Sequence, residues 1–154
     1  MAQFLQKDLN ALEDKIKIIT QRLREVILDG AESVRQSSET WHDNFGFEES
    51  SRQQKMLGKQ LEELQEIFQS AVLVQPRESS DTVAIGSRIK LLNVATGGEK
   101  EFLVGSFMVL DKKDDLEVAY TAPIVTPFFG AHVGEIHEVS IGENTIRYEL
   151  VEII

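Results

Sequence analysis

A chain of 154 residues with 42% hydrophobic content is long enough for one domain or two small ones, and too apolar for a disordered or fibrous protein. It has no cysteine, which excludes a disulfide framework and a thiolate metal site; its net charge of −10 is shared by both halves, which argues against general affinity for nucleic acid, where a basic face supplies most of the binding free energy. The opening MAQFLQKDLNALEDK has no basic flank leading into an apolar run, and no stretch approaches the ~20 apolar residues of a membrane span, so a cytoplasmic protein with no membrane partner is expected.

Near the start, Leu5, Leu9, Leu12, Ile16, Ile19, Leu23 and Val26 alternate steps of four and three residues, the seam of a coiled coil. After a polar, acid-bearing interruption around Glu39 to Gly46, a second seam follows at Phe47, Ser50, Leu57, Leu61, Leu64, Phe68 and Ala71. Each stripe can hide from water only against the other, so the two fold back as a helical hairpin whose polar turn becomes a tip. At 1.5 Å per helical residue, arms of roughly 35 residues carry that tip about 50 Å from the base. Gly30 and Gly58 lie inside the arms, where a glycine costs about 1 kcal/mol relative to alanine and marks either a close approach of the helices or a bend.

Helical periodicity stops at Gln75-Pro76, where proline removes an amide donor and polar turn formers follow. Residues 76–81 therefore read as a linker between a helical hairpin of 1–75 and a β domain of 82–154. Beyond it the apolar period becomes two. Thr82–Ile85, Arg88–Val94, Lys100–Val104, Ile136–Ile141 and Thr145–Ile153 read as strands, with hairpin turns at Gly97-Gly98 and Gly142-Glu143-Asn144. A short helix is expected from Ile124 to Gly130, with Pro123 placed to start it. The fold class is α+β: an antiparallel helical hairpin, then a small, bent antiparallel sheet packed on a short helix.

The densest group of chemically capable side chains runs from Glu39 to Glu49, at the hairpin turn. Glu39 and Asp43 are four residues apart, so on a helical turn they share a face and can jointly hold a hard cation such as Mg²⁺. Magnesium keeps several waters and takes only one or two protein carboxylates, so such a pair needs a partner to complete the site. The plainer alternative is that Asp43 or Ser38 caps a helix and the rest is solvated. Trp41, Phe45 and Phe47 exceed what the narrow core of an arm can use; one or two can close the hairpin end and the others meet a partner. His42 is a general base by residue type, although a histidine beside acids is more ordinarily a surface residue. His132 and His137 stand too isolated to make a metal site. No Gly-rich phosphate loop, nucleophile elbow or Ser-His-Asp arrangement is visible, so a self-contained active site is not expected.

A helical hairpin with an acidic tip followed by a small FKBP-like β domain resembles the GreA/GreB family of bacterial transcription elongation factors, over essentially the whole chain. Ala122-Pro123-Ile124, Phe129-Gly130 and Val133-Gly134-Glu135 resemble the family's Ser-Pro-Ile, Leu-Gly-Lys and Gly-Asp stretch, and Arg147–Ile153 resembles its terminal Tyr-Glu-Ile strand. Asp43-Asn44 with Phe47 and Gln53-Gln54 resembles the Glu-Asn-x-x-Tyr and Gln-Gln pattern that opens the second helix. The resemblance implies a monomer that binds RNA polymerase and inserts its coiled coil through the secondary channel. Its tip acids then help hold a shared Mg²⁺ while the polymerase cleaves a backtracked transcript, so the chain is no enzyme itself, has no cofactor of its own and meets the nascent RNA 3′ end only indirectly. In that register Asp43 takes the place of the family's tip Glu, while Thr40 stands where an Asp is usual and Glu39 lies one residue away. By the same resemblance Trp41, His42, Asn44, Phe45 and Phe47 contact the partner at the tip, and Pro123, Phe128 and Phe129 anchor the β domain outside the channel, with at least one of the two phenylalanines in the core. A regulator that occupies the channel without promoting cleavage, and a coiled-coil chaperone or binding module unrelated to transcription, are the competing readings.

Overall fold

A computed structural model describes residues 1–37, 45–77 and 81–154 of this α+β chain, in which residues 10–70 make one compact unit and residues 1–9 with 71–154 make another. No helix among the described residues is long and apolar enough to cross a membrane.

The helical unit holds most of helix α1 (Gln6–Ser37) and all of α2 (Phe45–Ser70). Leu12, Ile19 and Val26 are buried on α1, and Ser50, Leu57 and Leu64 on α2, each set repeating every seven residues. The helices run antiparallel: the Ser50 hydroxyl donates to the Val26 carbonyl at 2.8 Å, while Glu13, Ile16 and Lys17 line a groove with Gln65, Phe68 and Gln69. The expected seams hold along most of their length and fail at the end of α2. Phe68 is 38% exposed and Ile67 is half-buried in its place, while Ala71 has left the helix altogether. The two arm glycines separate as well. A Cβ on Gly30 would collide with Ser50, so Gly30 marks a close approach of the helices, whereas Gly58 has open space around it.

In the other unit, β1 (Ala2–Phe4) and β2 (Ala71–Leu73) form a parallel pair in the register Ala2 to Ala71, extended by a hydrogen bond from Val74 N–H to the Phe4 carbonyl. Neither strand is legible in the sequence, since three residues are too few to show an alternation. The main sheet takes the order β5-β4-β3-β7-β6, from β3 (Arg88–Asn93), β4 (Glu99–Gly105), β5 (Glu117–Ala119), β6 (Ile136–Ile141) and β7 (Asn144–Ile153). It is mixed, which corrects the antiparallel expectation: the connection from β4 wanders across residues 106–116 and returns in the direction it left, so β5 pairs parallel to β4. The β6–β7 hairpin closes with Ile141 opposite Asn144, leaving Gly142-Glu143 as a two-residue loop.

Two further expectations are corrected here. Thr82–Ile85 is not a strand and retains only a bridge between Thr82 and His132, because a turn closed from Ser87 N–H to the Ala84 carbonyl diverts the chain. Gly86 sustains that turn at φ 98°, with Pro76 and Arg77 where any side chain would go. The helix expected at 124–130 shrinks to a 3₁₀ turn, Thr126–Phe128, with Pro127 in its middle. Ile89, Leu91, Val104, Val125, Phe128, Val139, Tyr148 and Leu150 form the core of the unit.

Candidate functional site

The sequence places its chemistry between the two helices. α1 ends at Ser37 and α2 begins at Phe45, so Glu39, Thr40, Trp41, His42, Asp43 and Asn44 lie outside the described residues, while Phe45 and Phe47 fall in the first turn of α2. In the next turn of α2 the polar side chains are already committed. Arg52 pairs with Glu49 at 2.6 Å and Gln53 donates to the same carboxylate at 3.1 Å; these two hydrogen bonds, Arg52 first, hold the Glu49 carboxyl below its usual range. Gln54 donates to the Ser50 hydroxyl at 3.3 Å. The Gln53-Gln54 pair thus serves two different neighbours, one exposed carboxylate and one buried hydroxyl.

The second group of expected contact residues surrounds the 3₁₀ turn. Pro123 is exposed and Phe129 half-buried, its ring 4.9 Å from that of Tyr120. Phe128 is 0% exposed, so of the two phenylalanines it is the one in the core, and its ring is not available as a surface anchor. Its edge packs on the His137 imidazole at 5.1 Å. His132 and His137, isolated in sequence, converge on Glu135: the His137 Nε2 lies 3.1 Å from one carboxylate oxygen and the His132 Nδ1 3.4 Å from the other. The backbone N–H of His132, then His137, hold the Glu135 carboxyl below its usual range. Among the described residues no group of three His, Cys, Asp or Glu side chains is placed to hold a metal ion.

A third cluster was not foreseen. Asp8, at the first turn of α1, is fully buried. Its carboxylate accepts from the Ser106 hydroxyl at 2.6 Å, from the Leu110 and Asp111 amides at 3.0 Å each, and from Lys7 Nζ at 3.0 Å. Lys7 also donates to the Asp111 carbonyl at 2.6 Å and pairs with buried Glu117 at 2.9 Å. The long connection between β4 and β5 is thereby fastened around the N-terminal segment. The ring of Phe4 lies 6.0 Å from that of Phe107, and the Phe107 amide donates to the Gln3 carbonyl at 2.8 Å. Lys7-Asp8 reads in the sequence as ordinary helix-start polarity, because every partner except their own pairing lies about a hundred residues away.

Burial pushes the Asp8 carboxyl up, but the hydrogen bonds from Ser106, Asp111, Lys7 and Leu110 outweigh it and leave the group below its usual range. Burial likewise pulls the Lys7 ammonium down, and its bonds to Glu117 and Asp8 more than restore it. A carboxyl lowered by folding stabilises fully above its unfolded pKa of about 3.9, and that stability is lost as pH falls through the folded value. A raised lysine stabilises below about 10.4, and its share is lost as pH rises through the folded value. The melting temperature is therefore expected to be flat near neutrality, falling in acid below about pH 4 and again above about pH 10. Asp8→Asn should flatten the acid limb; an acid limb unchanged by that substitution would assign it to other carboxylates.

No family model matches the chain. Curated relatives cover it almost from end to end: the transcription elongation factor GreA of Lachnoclostridium phytofermentans is 24% identical over 147 residues, 94% of this chain and 90% of the relative. GreA of Thermotoga maritima is 24% identical over 154 residues, 97% of this chain and 90% of its own, and that of Mycoplasmopsis pulmonis 27% identical over 128 residues, 82% and 78%. Among solved structures, GreA factor homolog 1 of Thermus thermophilus superposes loosely, with a TM-score of 0.45 at 18% identity, covering 99% of this chain and 97% of that one.

Proposed function

We infer the function of the chain from its kin: it belongs to the GreA/GreB family of transcription elongation factors. We propose that it binds bacterial RNA polymerase as a monomer in the cytoplasm, that α1 and α2 act as a coiled-coil hairpin entering the secondary channel, and that the FKBP-like β unit anchors outside it. One observation carries the proposal: proteins bearing the GreA name align over both units, up to 97% of the chain and 90% of the relative. The paired helices and the carboxylates at residues 39 and 43 fit a factor that reaches toward a partner and completes a site there.

The residues' part in the reaction follows from their chemistry. Glu39 and Asp43 would offer carboxylate oxygens to a Mg²⁺ ion shared with the polymerase, which supplies the positive charge that makes bound water a nucleophile. The same carboxylates would accept hydrogen bonds from a water and orient it toward the RNA phosphodiester. The chain itself is then no enzyme and meets the nascent RNA 3′ end only through this site. Trp41, His42, Asn44, Phe45 and Phe47 would pack around the tip, and Pro123 with Phe129 would face the outer surface of the polymerase. Thr40, standing where the family usually carries an Asp, favours a second reading, a channel-bound regulator that promotes little cleavage.

The test is a backtracked, stalled elongation complex with a labelled RNA 3′ end. Added protein should bind the complex and release short 3′ fragments at a rate that saturates with its concentration. Binding with no release would leave the regulator reading. No binding at all would return the chain to a chaperone or binding module outside transcription.

A further inference from the structure

Among the described layers of the seam between the two helices, one is unlike the others. Counting in sevens from the contact of Ser50 with Val26 brings Leu57 level with Ile19 and Leu64 level with Leu12, both apolar layers. At Val26 the facing position is a serine, 7% exposed, where the pattern calls for an apolar side chain. Its hydroxyl donates across the seam to the Val26 carbonyl at 2.8 Å and accepts from Gln54 at 3.3 Å. Gly30, one turn further along α1, leaves room for nothing larger, since a Cβ there would run into Ser50. A buried polar group in an apolar seam costs stability and contributes specificity, because a hydroxyl bonded to one carbonyl tolerates one axial position, whereas Leu against Leu tolerates sliding by parts of a turn.

Among the described residues this is the buried layer nearest the start of α2. α2 starts five residues before Ser50, about 7.5 Å of helix, so the axial position of Ser50 on α1 sets where α2 begins. We propose that Ser50 and Gly30 are positioning residues: together they lock α2 to α1 at one register and so fix where α2 begins along α1, the end of the helical unit that the proposed function uses. The inference rests on the proposed function for its consequence, but the lock itself is a property of the free protein.

Two measurements keep the two apart. The chain lacks cysteine, so spin labels at Arg24→Cys and Lys55→Cys, both exposed, report a single distance across the helices. Ser50→Leu is expected to shift that distance through its bulk beside Gly30, and Ser50→Ala to broaden it through loss of the hydroxyl bond to Val26, while Ser50→Thr, which keeps the hydroxyl, preserves it better than either. In the cleavage assay Ser50→Leu should lower the rate at saturating factor about tenfold or more, with the half-saturating concentration unchanged, since a displacement of an ångström can cost about a hundredfold. A merely structural role would instead lower the melting temperature and occupancy and leave the saturated rate intact. Unchanged label distances in Ser50→Leu and in Gly30→Ala overturn the lock. Shifted distances with a full saturated rate overturn its role in positioning, and absence of polymerase binding by the parent protein overturns the proposed function alone.

Discussion

Glu39→Ala and Asp43→Ala are each expected to lower the saturated rate of transcript cleavage about a hundredfold while leaving polymerase binding within about twofold. The magnitude follows from what a carboxylate does in such a site. One that ligates a shared ion and orients the attacking water contributes where the transition state forms and little to docking, so its loss should appear in the rate at saturation. The two substitutions should not be equal. Under the proposed function Asp43 takes the place of the tip glutamate of GreA/GreB factors with one methylene less, so Asp43→Glu is a directed probe: longer reach should preserve or raise the rate if the oxygen must travel to the ion. In the same proposed register Glu39 is one residue away from the second acid of GreA/GreB factors, and restoring that acid through Thr40→Asp should add activity if Glu39 only partly fills the role. Equal, full rates in all four variants would remove the tip acids from the mechanism and leave a factor that acts by occupying the channel. A drop in occupancy matching the drop in rate would instead make them docking residues.

What the sequence revealed depended on how local the causes were. The helical seams are periodic over many turns, so Leu12, Ile19, Val26, Leu57 and Leu64 could be placed inward from spacing alone, and they are buried. Strands β6 and β7 carry their alternation over six and ten residues and were equally readable. β1, β2 and β5 were missed because each is three residues long and held by partners remote in sequence. Thr82–Ile85 has strand composition, and the turn at Gly86 overrides it. Composition placed at least one of Phe128 and Phe129 in the core but could not say which; the 3₁₀ turn points one residue in three inward, and Phe128 is the one it buries. The cluster around Asp8 was beyond any local signal: a carboxylate in the first turn of a helix is a commonplace, and only the loop at residues 106–117 makes this one indispensable.

Asp8→Ala is expected to lower the stability of the β unit by about 3–5 kcal/mol, the cost of breaking a buried charged network from one side. Four donors lose their acceptor at once: the Ser106 hydroxyl, the amides of Leu110 and Asp111, and one proton of Lys7. The hydroxyl can rotate and Lys7 keeps Glu117 and the Asp111 carbonyl, but the two amides are fixed by the backbone. This is why an apolar replacement does not rescue the site, as it can where both partners of an ion pair are side chains. Asp8→Leu removes the acceptor and leaves the amides, and should be as damaging as alanine or worse. Asp8→Asn keeps one carbonyl oxygen for the two amides and should cost less, about 1.5–3 kcal/mol, the worth of a hydrogen bond to a charged group. At about 4–8 °C per kcal/mol for a domain of this size, alanine should lower the melting temperature by more than about 10 °C, with the near-ultraviolet signal of Tyr120 and Tyr148 lost early. A shift under about 2 °C would mean that the loop at 106–117 can leave α1 without cost and that the buried carboxylate is not what holds it.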